Sequence, residues 1–160
     1  ISRGDWSSDV CSSDLTNIMN SLIIDATSTK IFLVIINSTN IYTRTHENSK
    51  SNFDKLTILI NNFLKNNEIS IDKIDHIYVN RGPGSFAGIR NSLSIVKGIH
   101  LSRNIDYFCF SYFDFLDKKP KNIKDLLKKN IVKTPKWIDI PNLCNKYKIK
   151  KNLIKPLYVS

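Results

Sequence analysis

From Ser21 onward the apolar positions fall in runs that change period along the chain. Ser21–Ala26 (SLIIDA) is short, isoleucine-rich and followed by the polar turn Thr27, Ser28, Thr29, which predicts a strand ending near Asp25. Lys30–Ile36 (KIFLVII) is apolar almost throughout, as expected of a strand covered on both faces. Asn37–Asn40 supplies turn residues, and Ile41–Thr45 alternates as a third strand. Three strands joined by short turns predict an antiparallel meander.

Ser51–Asn67 shifts to helical spacing, with Phe53, Leu56, Ile60, Phe63 and Leu64 on one stripe. Ile58 and Leu59 widen the apolar arc, so this helix needs more than one partner to bury it. Ser70–Lys73 reads as a short turn or helix, and His76–Asn80 as a fourth strand. The glycine-rich elbow Arg81–Arg90 leads into a long helix to about Arg103. Phe86, Ile89, Leu93, Val96 and His100 line one face of that helix, and Ser92, Ile95 and Ile99 a neighbouring one. Ile105–Phe110 is a fifth strand. The order βββαβαβ predicts an α/β fold with a mixed sheet.

After Ser111 the pattern weakens. Tyr112–Asp117 suggests a short helix and Lys121–Lys129 another, apolar at Ile123, Leu126 and Leu127, while Pro120, Pro135, Pro141 and Pro156 punctuate the rest. The opening ISRGDWSSDVCSSDL follows neither period and looks like a translated sequencing adaptor or cloning scar, with Met19 just before the first strand. Three segments follow: a non-native or disordered leader over residues 1–18, an N-terminal lobe over 19–117, and a reduced basic segment over 118–160.

A hydrophobic fraction of 41% with 24% charged residues suits a globular core. No apolar run is long enough for a membrane span, and no secretory leader is visible, so a cytoplasmic protein is expected. The net charge is +10, and Lys97–Ser160 alone carries 15 Lys/Arg against 5 Asp/Glu, so the excess lies late in the chain. Such a segment suits tRNA phosphates, although a lysine-rich composition also serves merely to solvate a surface. Cys11, Cys109 and Cys144 match no zinc or redox spacing. Cys109 and Cys144 are expected as buried free thiols.

The most specific feature is Gly82-Pro83-Gly84-Ser85-Phe86-Ala87-Gly88-Ile89-Arg90, set between a strand and a helix. Glycines 82, 84 and 88 permit close backbone approach, and Ser85 is placed to cap the helix. Gly82, Gly84, Ser85 and Gly88 are thus weak anion-site candidates. A dinucleotide fingerprint would require glycine at Ala87, and a phosphate-binding P-loop would end in Gly-Lys-Ser/Thr rather than Gly88-Ile89-Arg90. The alternative is a tight elbow whose Gly88 lets the helix pack closely.

The string YVNRGPGSFAGIRNSLSIVKGIH, Tyr78 to His100, closely resembles the signature of the TsaB (YeaZ) family. That family reads Gly-Pro-Gly-Ser-Phe-Thr-Gly-Leu-Arg after a strand, with a later Lys-Gly step. Here Ala87 replaces the threonine, Ile89 the leucine, and Lys97-Gly98 supplies the step. SLIIDATST is similar to the family's first strand and Asp-Thr-Ser turn, with Ala26 for threonine, and Pro156-Leu157-Tyr158 to its Pro-x-Tyr ending. The resemblance runs from about Asn20 to Leu116.

The resemblance implies a lobe of the actin-like/sugar-kinase/Hsp70 (ribonuclease H-like) fold. It implies a non-catalytic dimerisation subunit of the complex that transfers threonylcarbamoyl to adenosine of tRNA. The implied partners are a catalytic TsaD-like paralogue and a TsaE-like ATPase, with ATP and metal held by those partners and no cofactor in this chain. Self-association is the alternative when the paralogue is absent, and tRNA is met indirectly or through the basic C-terminal segment. The implied pairing surface is the two N-terminal-lobe helices, on which Leu56, Leu59, Ile60, Phe63, Leu93, Val96 and Ile99 are the interface candidates.

The residues give little support for catalysis. His46, His76 and His100 have no metal-ligand spacing, and His100 reads as a packed or interface histidine. Asp25 lacks a second acidic partner nearby and reads as the cap of its turn. Ser85 lacks the Gly-x-Ser-x-Gly nucleophile elbow. A small phosphate-binding hydrolase or kinase relative, using Asp25 and the elbow, is the alternative, as is a stand-alone basic tRNA-binding domain. The aromatic cluster Tyr107, Phe108, Phe110, Tyr112, Phe113 and Phe115 reads as core rather than as a base-stacking platform.

Overall fold

The computed structural model describes residues 19–117, 122, 124 and 134–158. The expected leader, Cys11 and the expected helix at Lys121–Lys129 lie outside the described residues, apart from the isolated Asn122 and Lys124. Five strands form one sheet: β1 (Ser21–Asp25), β2 (Lys30–Ile36), β3 (Ile41–Glu47), β4 (His76–Asn80) and β5 (Asp106–Phe110), in the order β3-β2-β1-β4-β5. The meander β1–β2–β3 is antiparallel, whereas β4 pairs parallel with both β1 and β5. The mixed sheet and the βββαβαβ order match the reading of the sequence.

Side chains alternate between the two faces as the two-residue strand period requires. Leu22, Ile24, Ile31, Leu33, Ile35, Ile77, Val79, Tyr107 and Cys109 point into the larger core. Ile23, Val34, Tyr78 and Phe110 point into a smaller one on the other side. The larger core is covered by α1 (Lys50–Asp54), α2 (Leu56–Asn66) and α3 (Phe86–Arg103).

The single helix expected over Ser51–Asn67 is divided at Lys55, whose backbone leaves the helical region at φ −104°, ψ 10°. Ser49 caps α1 by accepting a hydrogen bond from the Asn52 amide, and α2 then starts afresh with Leu56 fully buried. α3 is capped at its start by Ser85 and stops at Asn104, which adopts the left-handed conformation that ends many helices. The short helix expected over Tyr112–Asp117 is a 3-10 helix at Tyr112–Phe115, opened by a Ser111/Asp114 capping box.

The smaller core is closed by α4 (Ile140–Lys146), which follows a 3-10 turn at Trp137–Asp139. Ile140 and Cys144 from α4 are buried against Ile23, Val34, Tyr78 and Phe110. This cover explains the almost wholly apolar β2, which is flanked by core on both sides. The segment after α4 then runs beside β5. Asn152 N–H donates to the Tyr107 carbonyl at 2.7 Å, its side-chain oxygen accepts from the Tyr107 amide at 3.0 Å, and Lys151 bridges Phe108. The strap covers a sheet edge that would otherwise present unpaired amides and carbonyls.

Candidate functional site

The parallel strands β1 and β4 end side by side, and their last residues meet the elbow that enters α3. Asp25 lies buried there. Its Oδ1 accepts from the Thr27 amide at 3.0 Å and the Thr27 hydroxyl at 2.7 Å, and its Oδ2 from Asn80 Nδ2 at 3.1 Å and the Tyr112 hydroxyl at 3.0 Å. Four donors use the acceptor capacity of one carboxylate. Asp25 therefore caps its turn, as the sequence suggests, and also ties β1 to β4 and to the Tyr112 turn. Burial, reinforced by the neighbouring Asp25 charge, pushes the Tyr112 phenol well above its ordinary range, so it stays a donor.

The elbow continues this network. Asn80 Oδ1 accepts from the Gly82 amide at 2.9 Å, and the Ser85 amide donates to the Thr27 carbonyl at 2.8 Å. Gly82 and Gly84 have φ of 117° and 158°, where residues with a side chain are strained. A Cβ at Gly82 would collide with the Leu157 carbonyl, one at Gly84 with the Thr27 carbonyl, and one at Gly88 with the Ala26 carbonyl. The anion-site candidates Gly82, Gly84, Ser85 and Gly88 are thus brought together, but the chain's own backbone fills the space beside the three glycines. Ser85 Oγ accepts from the Gly88 amide at 3.2 Å as the helix cap.

Arg81 carries a role that reading the sequence missed. Its amide donates to the Phe110 carbonyl at 2.7 Å and its carbonyl accepts from the Leu157 amide at 2.8 Å. Its guanidinium pairs with Asp114 and reaches the Lys155 carbonyl at 3.4 Å. One side chain therefore holds the elbow, the Tyr112 turn and the C-terminal strap together. The Ser111-x-x-Asp114 spacing was the available signal for the turn, but nothing local pointed to Arg81 as its partner.

Of the interface candidates, Leu56, Ile60, Phe63, Leu93 and Val96 are buried in the chain's own larger core, and Leu59 and Ile99 are half-buried at its edge. The outward apolar side chains on α2 and α3 are Ile58, 56% exposed, Leu101, 73% exposed, and Phe86, 58% exposed at the start of α3. Among the described residues, nothing lies within 4 Å of where a Cβ on Gly98 would stand. A shallow groove of about 160 Å³ between α2 and α3 is lined by Ile60, Ile71, Ile95 and Ile99.

His46, His76 and His100 sit on β3, β4 and α3, and among the described residues no three His, Cys, Asp or Glu side chains converge as a metal site would require. His100 Nδ1 lies 2.9 Å from the Ile105 carbonyl, and its ring meets Tyr107 edge-on, which makes it a packed histidine. The aromatic cluster is core or near-core: Tyr107, Phe110 and Phe113 are buried, and Phe108 stacks on Tyr78 at 5.1 Å. No helix among the described residues is long and apolar enough to cross a membrane.

The family model described as "TsaD: tRNA N6-adenosine threonylcarbamoyltransferase" matches residues 35–114, half of the chain. The tRNA threonylcarbamoyladenosine biosynthesis protein TsaB of Buchnera aphidicola subsp. Baizongia pistaciae (strain Bp) is 35% identical over 71 residues, covering 39% of this chain and 32% of that protein. TsaB of Buchnera aphidicola subsp. Schizaphis graminum (strain Sg) is 28% identical over 98 residues, covering 61% and 47%. The chain thus spans less than half the length of these relatives. Among solved structures, YeaZ from Pseudomonas aeruginosa shares the fold with a TM-score of 0.56 at 17% identity, over 62% of this chain and 46% of that one.

Proposed function

Because the chain belongs to the TsaB (YeaZ) family, within the wider family that the TsaD model defines, we propose that it is a non-catalytic subunit of the assembly that places threonylcarbamoyl on adenosine of tRNA. In this reading it docks on a TsaD-like catalytic paralogue through the outer faces of α2 and α3. A TsaE-like ATPase completes the assembly, and ATP and metal chemistry belong to those partners.

The observation that carries this reading is Gly98. A glycine in a helix interior costs roughly 1 kcal/mol relative to alanine. At Gly88 the cost has an internal reason, since the helix packs there against the Ala26 carbonyl. At Gly98 the described residues give no such reason, because none of them fills the space beside it. Ser94, one turn earlier, is also small and exposed, and Leu101, one turn later, presents a bare apolar side chain. A small-residue step beside an exposed leucine suits the close approach of a helix from another subunit. The same helix bundle would serve a homodimer when the paralogue is absent.

The phosphate-binding alternative is weaker, because it places its ligand where the Thr27 and Leu157 carbonyls already stand beside the elbow.

Co-expression with the TsaD-like paralogue of the same genome, followed by size exclusion with light scattering, tests the proposal. A heterodimer that is lost in Gly98→Leu and in Leu101→Glu, both of which keep the monomer folded, supports it. A monomer that ignores the paralogue, or a heterodimer indifferent to both changes, overturns it.

A further inference from the structure

Two surface features meet on the C-terminal strap. The first is a cleft of about 270 Å³ whose lining includes Arg81, Asp114, Lys148, Lys150 and Lys155. Its one acid, Asp114, is engaged by Arg81, while Lys148, Lys150 and Lys155 are exposed and make no ion pair among the described residues. The second is a pair of uncovered rings. Phe86 and Tyr158, 58% and 44% exposed, are the two aromatic residues left most open among those described. Their ring centroids lie 4.7 Å apart, and the Arg90 guanidinium stands 5.8 Å from the centre of the Phe86 ring. Lys155 and Tyr158 are three residues apart on the same strap, so their Cα atoms lie about 10 Å apart at most.

We propose that this strap is a contact site for an unpaired nucleic-acid strand, with Lys148, Lys150 and Lys155 taking its phosphates and the Phe86–Tyr158 pair stacking on a base. Clustered cations alone would suit any polyanion. Exposed rings beside them suit a polyanion that carries flat aromatic groups, and those groups are free to stack only where the strand is not in a duplex. Arg90 adds a cation beside the ring that takes the base. The ligand is RNA rather than DNA because the site rests on the reading of the chain as part of a tRNA-modifying assembly.

Fluorescence anisotropy on the full chain alone tests this, with a short labelled oligoadenylate titrated across a range of salt. Lys148→Glu combined with Lys150→Glu is expected to weaken binding about tenfold and to flatten the salt dependence by roughly 0.7 per lost phosphate contact. Phe86→Ala combined with Tyr158→Ala is expected to weaken it by a similar factor, about tenfold, with the salt dependence kept. Lys65→Glu combined with Lys97→Glu, the same charge change on α2 and α3, is expected to leave binding within about twofold if the site is local. Thermal melts check that each variant folds, and crosslinking of a 4-thiouridine strand, expected at Phe86 or Tyr158, locates the contact independently of any variant.

No binding overturns the proposal. So does equal weakening by both charge-reversed pairs, equal affinity for duplex RNA, or equal competition by polyglutamate, each of which reduces the site to bulk charge. An equal preference for oligodeoxyadenylate removes the assignment to RNA and so counts against the proposal. The measurement needs no partner subunit and the co-purification needs no RNA, so either result stands if the other fails.

Discussion

Arg81 and Asp114 form a two-pronged ion pair, with Nη2 to Oδ1 at 2.7 Å and Nε to Oδ2 at 3.2 Å, and both side chains are largely shielded from water. The pair joins the end of β4 to the turn after β5, 33 residues later. Removing one partner of a shielded pair takes away the opposite charge that compensates the other, which typically costs 3–5 kcal/mol. Arg81→Ala is therefore expected to lower the unfolding free energy by about 3 kcal/mol in urea titration. Replacing both partners, Arg81→Met with Asp114→Leu, is expected to cost less than the sum of the single changes. Additive losses would show that the two residues act separately.

Burial pushes the Cys109 thiol up to about 11 and the Cys144 thiol up to about 12. Arg81 and a backbone hydrogen bond at Lys155 pull Cys109 partly back, while Asp114 pushes Cys144 further up. A raised pKa leaves almost no thiolate near neutrality, and the thiolate is the reacting species. Both cysteines are thus expected to resist iodoacetamide at pH 8 in the native chain and to be labelled on unfolding in urea, as read by peptide mass mapping. Native labelling of Cys144 as fast as in urea would mean that α4 does not seal the second face of the sheet.

Asp106 anchors the strap, and its carboxyl is held below the usual carboxylate range. The main cause is the hydrogen bond from Asn152 Nδ2 at 2.9 Å; partial burial opposes it, and the Lys151 ammonium at 3.5 Å adds to it. A depressed folded-state pKa contributes stability that is present above the unfolded value, about 4, and is lost as pH falls through the folded value. The strap is expected to loosen in that acid window. Exchange of the Tyr107 and Asn152 amides should accelerate there, and the effect is small because Asp106 is partly open to solvent. In Asn152→Ala the Asp106 carboxyl should titrate at higher pH by NMR. An unchanged titration would assign the shift to Lys151 instead.

The core of the fold was legible because its apolar residues fall in distinct patterns. Strands β1 and β2 stand out as nearly continuous apolar runs bounded by polar turns, and helix α3 repeats apolar residues at helical spacing. The strap and α4 have no such trace. Asn152 finds Asp106 across 46 residues, and Arg81 finds Asp114 across 33. Neither pairing leaves a mark in the local pattern. Pro141 was read as punctuation, whereas it sits in the first turn of α4, where the missing N–H costs nothing. The outward face of α2 and α3 was obscured for a related reason. By residue type Leu56, Ile60, Phe63, Leu93 and Val96 look like Ile58 and Leu101. Only the packed structure separates the five that serve the chain's own core from the two that face outward.

That separation gives one substitution opposite signs at two positions of the same helix. At Gly88 a methyl group would collide with the Ala26 carbonyl and press on the Phe53 ring, and backbone is the part least able to move. Gly88→Ala is expected to destabilise the chain by about 2 kcal/mol or more, in the range of core overpacking. At Gly98 the methyl group meets none of the described residues, and alanine removes conformational freedom from the unfolded chain. Gly98→Ala is expected to stabilise the monomer by about 0.5–1 kcal/mol. If Gly98 is where another subunit's helix approaches, the more stable variant should also bind the paralogue less well, and Gly98→Leu less well again. Urea titration of the monomer and affinity for the paralogue would then move in opposite directions. Affinity that rises or stays level along Gly, Ala and Leu would place the partner elsewhere and leave Gly98 without a physical account.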